Sequence, residues 1–170
     1  MNLFLRLLLL VLTSWLRPSC PPLGPCRKRF IVWPPDLDVL WHVNNGVYLS
    51  MLDVARVDLM LRSGVGSELR RRGWYPVVVA ETIRFRRSLR LFQRFQVETT
   101  IIGWDEKAIL VQHHFRRGEE LVADAVVRLR FLKRKGGSVT SAELLRVLGI
   151  ADLSPELPSW VAAWSEQNAR

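Results

Sequence analysis

Two hydrophobic periods divide the chain. Residues 44–62 carry Val47, Met51, Ala55 and Leu59 at i, i+4 spacing, widened by Tyr48, Leu49, Leu52, Val57 and Met60. This predicts a long helix that is apolar over most of its circumference and so buried on several sides, with Ser63-Gly64 as its stop. From Val77 onward the period falls to two. Ile83 and Phe85 alternate with Arg84 and Arg86, and Phe95, Val97, Thr99 and Ile101 with Gln96, Glu98 and Thr100. Ile109, Val111, His113 and Phe115 mark a third run. In residues 121–131 a fourth sets Leu121, Ala123, Ala125, Val127, Leu129 and Phe131 against Asp124, Arg128 and Arg130. Residues 27–33 alternate basic and apolar positions like a half-buried strand, and Pro34-Pro35 stops it. Connections such as Gly103-Trp104-Asp105-Glu106 and Arg117-Gly118-Glu119 are hairpin-sized, which predicts an antiparallel meander. Strand, buried helix and four long strands is an α+β order, and one sheet wrapped around a central helix buries that helix best.

The ends read differently. Residues 2–16 form an apolar run interrupted by Arg6, too short for a comfortable membrane span and without the flanks of a secretory signal. A signal or anchor, a helix packed on its own domain and a helix lying on a bilayer surface are the three readings, and Pro18 ends the helix in each. Residues 141–148 read as a short helix opened by Ser141, and another is expected around 160–164. The predicted organisation is therefore an N-terminal apolar helix and proline-rich linker (1–26), one α+β domain (27–135) and a C-terminal helical tail (136–170).

Composition narrows the classes. With 170 residues and 49% hydrophobic positions the chain can bury a real core, which excludes a disordered or repeat protein. The formal charge of +9 favours polyanionic partners, namely nucleic acid, anionic lipid or a phosphorylated small ligand, or else marks a solvated basic surface. Cys20 and Cys26 make no disulfide framework and lack zinc spacing, so they are expected to be reduced thiols, with loop closure in an oxidising compartment as the alternative. His113 and His114 face opposite sides of a strand without ligand-spaced companions, and both are expected to be structural. No metal or organic cofactor is expected. Asp53 and Asp58 are expected as helix-surface charges.

One polar cluster stands out, Asp36-Leu37-Asp38-Val39-Leu40-Trp41-His42-Val43-Asn44-Asn45-Gly46-Val47-Tyr48. Acids just ahead of a helix, with His42, Asn44 and Asn45 at its start, place a carboxylate beside unpaired backbone N–H groups and the positive end of the helix dipole. Such a site can polarise a carbonyl and stabilise an oxyanion. Helix capping is the competing reading, but a cap needs one such residue, and five polar side chains occur here within ten positions.

These residues resemble the hotdog-fold acyl-CoA thioesterases of the 4-hydroxybenzoyl-CoA thioesterase type. The likeness rests on Asp36-x-Asp38, His42-Val43-Asn44-Asn45 and Tyr48. It is closest to the branch containing thioesterase superfamily member six and its bacterial relatives, through Arg86-Arg87-Ser88-Leu89-Arg90-Leu91 and Gly103-Trp104-Asp105-Glu106. The resemblance implies a hotdog fold, an antiparallel sheet around a long central helix, here with an additional N-terminal apolar helix. It also implies hydrolysis of an acyl-CoA to free acid and CoA. Asp38 falls on the family's active-site aspartate, which attacks the thioester carbonyl or activates water. The backbone N–H near Asn45 falls on the carbonyl-polarising position, and His42 and Asn44 would order the loop and the ligand. Tyr48 borders the acyl site in a packing role, and Asp36 is expected to be a structural acid. Arg84, Arg86, Arg87 and Arg90 form a candidate row for the CoA phosphates, with a solvated strand face as the alternative.

The chain departs from the family at Trp41, where many relatives carry glycine. Tryptophan does not adopt positive φ cheaply, so Trp41 caps or reshapes the acyl pocket, or marks a branch that binds acyl groups without fast turnover. A homodimer or dimer of dimers is implied by the family, and long edge strands agree with it. A non-catalytic acyl or CoA-ester binding module, with peripheral membrane contact through the N-terminal helix, is the rival reading. Nucleic-acid binding is not expected, because Phe85, Phe92 and Phe95 are spaced for a buried sheet face rather than for base stacking. The expected location is the cytoplasm, at a membrane face if the N-terminal helix engages one.

Overall fold

The computed structural model describes residues 3–151 and 153–169. In chain order the elements are α1 (Leu3–Thr13), β1 (Cys26–Ile31), α2 (Asn45–Arg62), α3 (Val65–Arg72), β2 (Trp74–Phe85), β3 (Arg94–Trp104), β4 (Ile109–Arg117), β5 (Glu120–Lys133), β6 (Ser138–Val139), α4 (Ser141–Leu148) and α5 (Ser159–Gln167). Asn2, at the start of the predicted apolar run, and Arg170, at the end of the predicted tail, lie outside the described residues.

The predicted central helix is α2. The Asn44 side chain caps it by accepting the Gly46 N–H at 2.8 Å, and Ser63 closes it. Gly64, at φ 78°, turns the chain into α3, which the sequence reading did not anticipate because Val65-Gly66-Ser67-Glu68-Leu69-Arg70-Arg71-Arg72 offers only two large apolar positions. Thr140 rather than Ser141 caps α4, its hydroxyl accepting the Glu143 N–H at 3.2 Å.

All strand pairs are antiparallel, in the order β1-β3-β4-β5-β2, with β6 added beside β5. The predicted four-strand meander is thus only partly present. β3, β4 and β5 form it, whereas β2 pairs with β5. The reason lies in the β2–β3 connection, residues 86–93, which carries the chain from one side of the sheet towards the other instead of closing a hairpin. β2 is consequently an edge strand, where Pro76 costs little. Register shifts at Val78/Ala80, Ile101/Gly103 and Phe115/Arg116 bend the strands, and the sheet curls around α2. Met51 and Leu52 of α2 pack in one core with Val97, Phe115 and Val127 of the sheet.

The other face of the sheet, on which the alternation set Arg128, is covered too. Arg128 is 1% exposed, and its Nη1 lies 2.6 Å from Asp105 Oδ2, while Nε donates to the Asn168 carbonyl. Val161 and Trp164 of α5 pack there over Leu110 and Val126. Alternation along β5 identifies the side facing α2, but it carries no sign of a later helix on the second side. Gly103 admits the segment leading to α5, since a Cβ there would lie 2.7 Å from the Leu157 side chain.

At the N-terminus α1 packs on α2, burying Leu10 and leaving Phe4, Leu8, Leu12 and Trp15 exposed. Arg6, the interruption in the apolar run, is buried and ion-paired with Asp36. Asp58 is also buried rather than on the surface. It accepts Arg17 Nη1 and Arg62 Nη1, each at 2.9 Å, because the linker after α1 covers that side of α2. Asp53 remains half-exposed and pairs with Arg56. Cys20 and Cys26 are free thiols with their Sγ atoms 2.9 Å apart.

Candidate active site

The segment between β1 and α2 is a loop pinched shut by backbone bonds. The Asn44 N–H donates to the Asp36 carbonyl at 2.9 Å, the Asp38 N–H to the His42 carbonyl at 2.8 Å, and the Trp41 N–H to the Asp38 carbonyl at 3.1 Å. Residues 38–41 therefore form a tight turn. The Asp38 carboxylate folds back over it, Oδ1 accepting the Leu40 N–H at 2.9 Å and the His42 N–H at 3.4 Å. These bonds fix the carboxylate and leave Oδ2 without a donor among the described residues. Asp36 is buried, accepting the Trp33 N–H at 2.8 Å besides its pair with Arg6, which is the structural part expected of it.

Immediately after the turn, Asn44 is spent on the Gly46 N–H, and the exposed Asn45 N–H has no acceptor among the described residues. It therefore stands open at the positive end of an 18-residue helix. A fixed carboxylate and an open helix N-terminus on one short loop can activate a nucleophile and receive the negative charge that forms on an attacked carbonyl.

Trp41 takes φ 61°, the left-handed conformation that glycine would adopt without strain, with its side chain 71% exposed. Val39 and Leu40 beside it are exposed as well, so the turn presents three apolar side chains. Tyr48 is buried, edge-on to Phe85 at 5.1 Å and Phe115 at 5.2 Å. Burial raises its phenol's proton affinity, opposed by a backbone hydrogen bond with Leu89, and it belongs to the core rather than to an open cleft.

The Val43 N–H donates to the Leu89 carbonyl at 2.9 Å, tying the acid loop to the β2–β3 connection. Between them lies an open cleft of about 460 Å³ lined by His42, Arg87, Ser88, Arg90, Gln93 and Arg117. Two of the four expected arginines, Arg87 and Arg90, line it. Arg86 instead pairs with Asp124 at 2.7 Å, and Arg84 is exposed beyond the lining. Arg117 joins the cleft although the sequence marked it only as a turn residue. The register that sets Arg117 opposite Glu120, with Arg87 ion-paired to the same glutamate, is a tertiary fact. Among the described residues no group of three or more His, Cys, Asp and Glu side chains could hold a metal ion.

A curled antiparallel sheet around one helix, with an acid loop at that helix's N-terminus, defines the hotdog class of thioesterase folds. The chain matches the thioesterase-like superfamily over residues 32–165, and it belongs to that family. It is 33% identical over 168 residues to Protein THEM6 of Xenopus laevis, covering 97% of this chain and 79% of that protein. Among solved structures it resembles YbaW, a probable thioesterase from Escherichia coli, with 24% identity, a TM-score of 0.67 and coverage of 72% of this chain and 95% of that one. It also resembles a mutant 4-hydroxybenzoyl CoA thioesterase complexed with 4-hydroxybenzoyl CoA, with 18% identity, a TM-score of 0.65 and coverage of 72% and 97%.

Proposed function

We propose that this protein hydrolyses an acyl-CoA thioester to the free acid and CoA, with Asp38 as base or nucleophile and the N-terminus of α2 as the oxyanion site. The observation that carries this reading is the Asp38 carboxylate, fixed by the Leu40 and His42 N–H groups on the same short loop as the open Asn45 N–H. The thioester carbonyl would rest against that N–H. Asp38 would attack the carbonyl carbon directly, the C–S bond breaking to leave an acyl-aspartyl anhydride that water then cleaves to the free acid, or it would take a proton from the water that attacks, after which the C–S bond breaks; in either route the sulfur leaves as a thiolate and takes up a proton supplied by that water to become the CoA thiol. His42 and Asn44 hold the loop. Arg87 and Arg90 in the adjacent cleft suit the CoA phosphates.

CoA release measured with a thiol-reactive dye, over short, medium, long-chain and aromatic acyl-CoAs, tests the proposal. Asp38→Asn is expected to lower turnover by about 10²–10⁴-fold, the usual scale for such a group, with the melting temperature little changed. Unchanged turnover in the variant removes the reading. A second reading, an acyl-CoA binding module without fast hydrolysis, is favoured by the strained Trp41 backbone where glycine would be relaxed. Binding of the esters by wild type and variant alike, with no CoA released by either, would establish it.

The outer edge of β2 has no strand partner among the described residues and exposes Tyr75, Val78 and Val79. This supports a homodimer or dimer of dimers formed along it, to be read by light scattering. The outward apolar side of α1 supports peripheral membrane contact from the cytoplasmic side, to be read by vesicle co-sedimentation. No helix among the described residues is long and apolar enough to cross a membrane.

A further inference from the structure

A second cationic cleft, of about 430 Å³, lies between α1 and β1. β1 is the sheet edge opposite β2, so the cleft is clear of the edge along which two copies would pair. Five basic residues, Arg6, Arg17, Lys28, Arg29 and Arg94, line it, and no acidic residue among those described does. Arg6 is paired with Asp36, and Arg17 shares Asp58 with Arg62. The side chains of Lys28, Arg29 and Arg94 have no hydrogen bond or ion pair among the described residues. Neither Asp38 nor His42 reaches this cleft.

Lys28 separates this cluster from a solvated basic face. Phe30 lines the cleft, and the Lys28 Nζ lies 5.7 Å from its ring centroid, as does the Arg6 Cζ. Lys28 is half-buried, and its Nζ is unpartnered yet not fully enclosed, so a ligand in the cleft can reach it. Burial, and then the Arg17 guanidinium, bring the Lys28 pKa down to about 8 against an upward pull from Asp58. A half-buried ammonium with cations for neighbours is unfavourable, and an anion relieves it. A phosphate monoester brings about two negative charges and three acceptor oxygens, enough for several of these donors at once, where a carboxylate brings one charge. Beside the cations stand the partly exposed Leu9 and Trp33. Leu5 and Leu12, a turn to either side of Leu9 on α1, are exposed as well, so an apolar strip leads out of the cleft.

We propose that the cleft between α1 and β1 binds a phosphate monoester bearing an aliphatic chain, its phosphate on Lys28 and the neighbouring arginines and its chain along Leu9. The site is independent of the thioester reading and of membrane contact, since a monomeric lipid tests it. Isothermal titration of the full chain with decanoyl lysophosphatidic acid, with its phosphocholine counterpart and with glycerol 3-phosphate is the experiment. The lysophosphatidic acid is expected to saturate one site per chain. The phosphocholine lipid, a zwitterionic diester, and glycerol 3-phosphate, which has no chain, should each bind at least tenfold more weakly. Lys28→Met should weaken binding of the lysophosphatidic acid roughly tenfold or more, the scale of one hydrogen bond between charged groups. Leu9→Glu, a change at an exposed position that sets a carboxylate beside the phosphate, should weaken it at least as much. Arg90→Ala, in the other cationic cleft, should leave it unchanged. Absence of saturable binding, equal binding of the phosphocholine lipid, or unaltered binding in a folded Lys28→Met or Leu9→Glu protein overturns the proposal. Glycerol 3-phosphate binding as tightly as the lipid would overturn it in favour of a soluble phosphate, and loss of binding in Arg90→Ala would place the ligand in the other cleft. If Lys28→Met does not fold, the ratios among the three ligands and Leu9→Glu still decide.

Discussion

Arg6 of α1 is ion-paired, out of water, with Asp36, two residues ahead of the Asp38 carboxylate. The apolar N-terminal helix is thereby fastened to the loop that carries the candidate chemistry. Arg6→Met would remove the guanidinium paired with the buried Asp36 carboxylate, and is expected to destabilise the fold by more than about 1 kcal/mol, read as a lower urea midpoint. A loss below about 1 kcal/mol, the scale of an exposed pair, would show that α1 does not hold this position in solution.

Trp41 gives a stability test of opposite sign. Its φ of 61° is costly for tryptophan and free for glycine, and the indole is mostly exposed. Trp41→Gly is expected to stabilise the isolated chain by about 1 kcal/mol, a rise of roughly 2–4 °C in Tm for a chain of this size. A fall in Tm would mean that the indole is held by a second copy of the chain.

For the cationic cleft the expectation is kinetic. Arg90 lines it and has no carboxylate partner among the described residues, whereas Arg87 and Arg117 are both ion-paired to Glu120. Arg90→Ala should raise KM for an acyl-CoA about tenfold with kcat nearly unchanged. With an acyl-pantetheine, which lacks the nucleotide phosphates, the same variant should match wild type. Equal losses on both substrates would assign Arg90 to the fold instead.

His113 sets an acid limit. Burial, then Arg56 and then His114, hold its folded-state pKa well below 6.5, so the imidazole stays neutral beside the Thr99 hydroxyl, 3.0 Å from Nδ1. His114 is lowered in the same direction, chiefly by burial. The unfolded chain takes up protons as pH falls through about 6.5 while the folded chain does not, so stability is present above that pH and declines below it. The decline is up to about 1.4 kcal/mol per pH unit for each histidine. Urea unfolding from pH 7 to 5.5 should show it, and His113→Gln should flatten the slope by one proton. An identical slope in that variant would place the sensitivity elsewhere.

Local periodicity made much of this molecule legible. A helix and a strand bury different spacings of side chain, so α2 and the long strands could be read from positions such as Met51 and Ala55 or Phe95 and Val97. The acid loop was legible because Asp38, His42, Asn44 and Asn45 lie within eight residues and needed no distant partner to meet. The burial of Asp58, expected as a surface charge, and of Arg128 was not legible, for a common reason. A polar residue on a periodic element signals an outward face, and only a distant segment, α5 in one case and the linker after α1 in the other, shows that the face is covered.

By itself, then, the sequence determined the elements, the α+β class and the short loop where a carboxylate meets a helix N-terminus, since each depends on neighbours within a few residues. The tertiary structure alone decided the pairing of β2 with β5, the union of Arg6 with Asp36, and the gathering of Arg87, Arg90 and Arg117 beside His42. It also decided the burial that leaves Arg56 Nη1 without an acceptor among the described residues. Those depend on which surfaces exclude water together, and that is settled by packing between segments far apart in the chain.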